Sequence, residues 1–126
     1  MRHRTSNPYE QEFGYSRAVR RGPFVFVSGT TSINPTTGEL LHPTSAYHQT
    51  LRIFQEIITA VEAVGGNKSD VVRVRMFVTA EDDAGDVGRG LKEVFEDVYP
   101  AATMIIGAKF VSSQMLVEIE ADAVIF

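Results

Sequence analysis

The chain has 126 residues, enough for one domain with a real hydrophobic core, and its 44% hydrophobic and 22% charged residues are ordinary for a globular protein. A net charge of −4 gives no basic excess to favour nucleic acid, and the absence of cysteine excludes a disulfide framework, a thiol nucleophile and a thiolate metal site. No apolar run approaches membrane-spanning length, and the basic start Met1–Arg4 lacks the apolar core of a signal peptide, so the expectation is a cytoplasmic protein away from membranes.

Residues 1–13 are polar and contain Pro8, and read as an irregular arm. Tyr15–Arg20 suits a short strand, Arg21-Gly22-Pro23 a turn, and Phe24–Val27 a buried strand ending at Ser28-Gly29. Asn34–Gly38 carries strong turn chemistry. A helix capped by Thr44 or Ser45 follows, with Tyr47, Leu51, Phe54, Ile58 and Val61 at helical spacing and Gly65-Gly66 as its stop. Val71–Val78 reads as a strand. Asp83–Val98 reads as a second amphipathic helix, weakened in its first half by Gly85, Gly88 and Gly90, at about 1 kcal/mol each relative to alanine. Pro100 ends that region, and strands over Thr103–Phe110 and Leu116–Phe126 complete a single domain spanning residues 1–126. Two helices cannot cover both faces of such a sheet. The expected fold is therefore α+β, a two-layer sandwich with both helices on one face and the other face covered by an oligomer interface.

On the last strand Glu118, Glu120 and Asp122 alternate with Val117, Ile119, Ala121 and Ala123, so period two puts all three carboxylates on one face. Arg73 and Arg75 alternate likewise on another strand. A ladder of cross-strand ion pairs accounts for Glu120 and Asp122; the sharper reading has one carboxylate facing a pocket and handling a proton. His3, His42 and His48 have no metal-ligand spacing, so no metal is expected. Ser28 lacks the context of an acylated nucleophile. The glycines of Gly85–Gly90 follow Asp82-Asp83, whose charges would repel a phosphate.

In chain order, Gly14-Tyr15-Ser16-Arg17-Ala18-Val19, Phe24-Val25-Phe26-Val27-Ser28-Gly29, Thr37-Gly38, Gln49-Thr50, Val64-Gly65, Asp70-Val71-Val72-Arg73-Val74, Tyr99-Pro100-Ala101 and Val117-Glu118-Ile119-Glu120-Ala121 together resemble the RidA/YjgF-like family, also labelled the L-PSP endoribonuclease family. The resemblance implies a chorismate-mutase-like fold and a homotrimer, with sheets lining a central β-barrel and a small-molecule ligand in each cleft between subunits. It implies hydrolysis of reactive enamines and imines to 2-oxo acids and ammonia, with no metal or organic cofactor. Tyr15 then matches the cleft tyrosine, Ser28 and Gly29 the strand-end pair, and Glu118 the glutamate that positions water.

Several positions depart from the family pattern. Where the family has its substrate-clamping arginine this chain has Ala102, and the cysteine two places later is Met104. The family asparagine of the second helix aligns with Gly88, the residue after Ser28-Gly29 is Thr30, and Thr103 stands where serine is frequent. Losing a bidentate carboxylate contact in a buried site costs about 2–5 kcal/mol, enough to remove turnover of small imino acids. Arg17, two residues from Tyr15, is the cation best placed to share an anion site with it, against the ordinary reading of a solvated surface arginine. The sequence leaves three functions open: a divergent imine or enamine deaminase or related C–N hydrolase, a non-catalytic trimer that binds a metabolite or acts as a holdase, and the ribonuclease of the family label.

Overall fold

The computed structural model describes residues 1–126. Six strands form one mixed sheet: β1 (Arg2–His3), β2 (Ala18–Arg21), β3 (Phe24–Thr30), β4 (Val71–Val78), β5 (Ala101–Ile106) and β6 (Val117–Val124), in the order β1-β2-β3-β6-β4-β5. Only β4 and β5 run parallel. Three helices accompany it: α1 (Pro8–Phe13), α2 (Ala46–Ala63) and α3 (Ala84–Phe95). No helix is long and apolar enough to cross a membrane.

Alternation along the strands sorts the side chains. Val25, Val27, Val74, Met76, Val78, Val117, Ile119, Ala121 and Ala123 point to one face and are buried with Ile53, Phe54, Ile57 and Val61 of α2 and Val87 and Phe95 of α3. Phe54 and Phe95 meet edge to face at 5.0 Å, a favoured aromatic geometry, and join the two helices. Ser45 caps α2, its hydroxyl accepting from the His48 N–H. The opposite sheet face has no cover within the chain. Phe24 and Phe26 are each 53% exposed there. Arg75 lies 3.3 Å from both Glu120 and Asp122, the expected cross-strand ladder, worth about 0–1 kcal/mol at this exposure. Arg73 joins no ion pair.

Four expectations need correction. The first thirteen residues are not an irregular arm: β1 pairs with β2, and α1 forms because Asn7 accepts from the Tyr9 N–H, Pro8 occupies the first turn and Gly14 closes the helix in a left-handed conformation. Ladder pairing in β2 starts at Ala18, so Tyr15 and Arg17 precede the strand. Helix α3 stops at Phe95, whose carbonyl accepts from both Val98 and Tyr99 N–H groups. Strand β5 runs from Ala101 to Ile106, which releases residues 107–116 as a loop.

The glycines of α3 also differ from one another. A Cβ on Gly90 would lie 2.7 Å from Thr50 Cγ2, and Thr50 is fully buried with its hydroxyl donating to Ala46 O. Gly90 is thus the close-contact point between α2 and α3, while Gly85 faces open space. Gly90→Ala is expected to lose about 1–3 kcal/mol by overpacking, more than its gain in helix propensity, and Gly85→Ala to gain about 0.5–1 kcal/mol. Thermal unfolding of the two variants checks this; equal gains would show that the helix contact accepts a methyl group.

Candidate functional site

A cleft of about 270 Å³ opens where the sheet meets the N-terminal segment and the loop after β5, with Tyr15, Arg17, Gly29 and Glu118 among its walls. Four expected site residues therefore converge. A bulge in β3 between Val27 and Thr30 makes the convergence possible: it breaks the register with β6 and brings Gly29 against Glu118. A Cβ on Gly29 would meet Glu118 Cδ and Oε1 at 3.1 Å, a tight contact that would push this carboxylate aside by a few tenths of an ångström. Glu118 belongs to none of the ion pairs of the chain. Burial raises its pKa above the ordinary 4.5; Arg17 opposes the rise and Glu120 adds to it. A half-buried carboxylate with no resident partner can accept a proton from water or return one.

Arg17 is not a solvated surface residue. It is 4% exposed, and its Nε donates to the fully buried Glu10 carboxylate at 3.2 Å. Its Nη1 donates to Gly29 O at 2.7 Å and to Thr30 Oγ1 at 3.1 Å, and its Nη2 to Tyr15 Oη at 3.3 Å. The Arg17–Tyr15 association expected from sequence exists, but the guanidinium charge is matched by Glu10. Thr30 is buried and orients Arg17 rather than lining the cleft. The Ser28 hydroxyl donates to Ser16 O at 2.7 Å and is also off the cleft wall.

The remaining expected residues lie elsewhere in the chain. Gly88 is on α3, beside a second cavity with Tyr99 and Pro100. Ala102, Thr103 and Met104 are on β5, the edge strand, with Ala102 and Thr103 exposed and Met104 packed against the core. One chain does not bring them to Glu118.

Sequence reasoning missed eight of the twelve residues that line the cleft. Asn7, Tyr9 and Phe13 come from the segment read as an arm, Thr31 from just beyond β3, and Lys109, Phe110, Val111 and Met115 from the loop after β5. The Asn7-Pro8 start and Gly14 stop were a legible helix signature. The loop carried no signal, because its place depends on where β5 ends.

The family profile described as Endoribonuclease L-PSP matches residues 5–125. A protein of Streptomyces coelicolor described as uncharacterised is 33% identical over 120 residues, covering 94% of this chain and 87% of its own. The 2-iminobutanoate/2-iminopropanoate deaminase of Dermatophagoides farinae is 32% identical over 111 residues, covering 88% and 85%. Among solved structures, Rv2704 of Mycobacterium tuberculosis, described as a member of the YjgF/YER057c/UK114 family, superposes with a TM-score of 0.88 at 32% identity, covering 99% of this chain and 98% of that one.

Proposed function

Because the chain belongs to the Endoribonuclease L-PSP family, the RidA/YjgF group, we propose that it hydrolyses the C=N bond of a small imine or enamine, with Glu118 directing water onto the carbon. The observation that carries this reading is the unpaired Glu118 carboxylate set over Gly29 in the cleft. The similarity to a protein named as an imine deaminase supports the reaction class.

The chemistry balances with one carboxylate. The imine reacts in its protonated form: Glu118 takes a proton from water as the water oxygen bonds to the imine carbon, and the C=N pair moves to nitrogen, which becomes a neutral amine. The protonated Glu118 then donates to the amine nitrogen, the C–N bond breaks and ammonia leaves. The hydroxyl loses its proton as the carbonyl forms, giving a net change of imine plus water to carbonyl plus ammonia. An imine is already electrophilic, so positioning and one proton carrier suffice.

Ala102, Thr103, Met104 and Gly88 enter this reading through assembly. A homotrimer around a central barrel sets the edge strand of one copy beside the cleft of the next, and the uncovered sheet face with Phe24 and Phe26 supports such packing. A net charge of −4 and a free carboxylate in the cleft do not favour RNA as substrate. The test is ammonia release from imines generated in situ by an amino-acid oxidase. Native protein is expected to accelerate it, and Ala102→Arg to extend turnover to small imino acids. No release above the uncatalysed rate for any imine overturns the reading in favour of a non-catalytic, metabolite-binding or holdase-like protein.

A further inference from the structure

The cleft has two chemically different sets of lining residues. Glu118, Tyr15 and Arg17 form the polar set. The cleft is also lined by Tyr9 and Phe13 of α1, which stack with planes 5° apart and centroids 6.5 Å apart, and by Phe110 and Val111 of the loop. Phe13 is 66% exposed and Val111 75% exposed, so neither serves the core of the chain. An aromatic stack left open to a cleft suits an apolar group of a ligand.

The charges on the walls are not equivalent either. Arg17 is neutralised by Glu10 and has hydrogen bonds from Nε, Nη1 and Nη2. Lys109 lines the same cleft and joins none of the ion pairs of the chain. It is therefore the cation left for a ligand anion. As a flexible point charge it can hold a carboxylate without the planar geometry that an arginine demands.

Resting on the hydrolase reading above, we propose that the substrate is the imine of an amino acid with an aromatic or large apolar side chain. The side chain lies on the α1–loop wall of Phe13, Tyr9 and Val111, the carboxylate pairs with Lys109, and the imine carbon faces Glu118. Helix α1 and the loop after β5 are thereby specificity elements, and Lys109 takes over the role that Ala102 cannot fill.

The 2-oxo acids produced by the reaction carry the same carboxylate and side chain, so they serve as probes. In calorimetric titration of the full chain, phenylpyruvate is expected to bind at least ten-fold tighter than pyruvate. Phe13→Ala removes about ten-fold of phenylpyruvate affinity and leaves pyruvate unchanged. Lys109→Met weakens both about ten-fold, and Lys109→Arg restores them. Phe13 and Lys109 are both exposed, so these variants keep the fold. Equal affinity for the two oxo acids, or variants without effect, overturns the proposal. The two readings fail separately. Glu118-dependent turnover insensitive to Phe13 and Lys109 removes the substrate class and keeps the hydrolase. Phenylpyruvate binding with the stated pattern but no turnover of its imine keeps the binding assignment and removes the hydrolase.

Discussion

Glu118→Gln is expected to lower kcat for imine hydrolysis by about 10²–10⁴-fold, the range for loss of a positioned acid–base group. Oxo-acid binding should survive, since the amide keeps the volume of the side chain. The native rate should fall as pH drops through the raised pKa of Glu118, so its acid limb lies above the ordinary value of 4.5. The residual rate of the variant should lack that limb. Stability should move the opposite way. A carboxyl whose folded pKa is raised contributes stability that is fully present below its unfolded pKa and is lost as pH rises through the folded value. Above that window the native protein holds a half-buried charge without a partner, and Glu118→Gln removes it. The variant should therefore unfold at a higher temperature than the native chain at neutral pH, and at a similar one in acid. A variant that keeps its activity, or keeps the acid limb, would place the proton carrier elsewhere.

The second large effect concerns Glu10, which is fully buried and accepts from Thr5 N at 2.8 Å, from the Thr5 hydroxyl and from Arg17 Nε. Glu10→Ala leaves the Arg17 guanidinium buried without its counter-charge, a loss of about 3–5 kcal/mol. The N-terminal segment can escape that cost by undocking, because its other ties are few: a two-residue ladder with β2 and a handful of turn hydrogen bonds. Arg17 then regains water. Amide exchange within α1 should accelerate a hundred-fold or more, while α2 and β6 change little. The apolar wall of the cleft should go with it, so phenylpyruvate affinity drops although no contact residue was altered. Replacing both partners, as Glu10→Leu with Arg17→Met, should recover much of the docking, because neither charge is then stranded. Unchanged exchange in α1 on Glu10→Ala would show that the ion pair does not hold the segment.

Residues whose role follows from local periodicity were legible in the sequence. The stripes of α2 and α3, the alternation of β6 and the ladder of Arg75 with Glu120 and Asp122 all rest on fixed periods of 3.6 and 2, which any reader of the chain can count. The ordered landmarks from Tyr15 to Val124 likewise marked the family. Glu118 stood out as one of three carboxylates on one face; the family resemblance singled it out, but the periodicity did not separate it from Glu120. That separation comes from the β3 bulge, which brings Gly29 against Glu118, and from the β4 register, which sets Arg75 opposite Glu120 and Phe77 opposite Glu118.

The same division holds for the cations. Arg17 was conspicuous by its spacing from Tyr15, yet its charge is neutralised by Glu10, seven residues away through a helix the sequence did not announce as part of the site. Lys109 was silent until the end of β5 at Ile106 fixed the path of the following loop. Sequence by itself determined the two long helices, the central strands, their buried faces and the family, because each depends on neighbours along the chain. Tertiary structure decided which carboxylate is free and which cation is available, because desolvation and charge pairing depend on what packs across space.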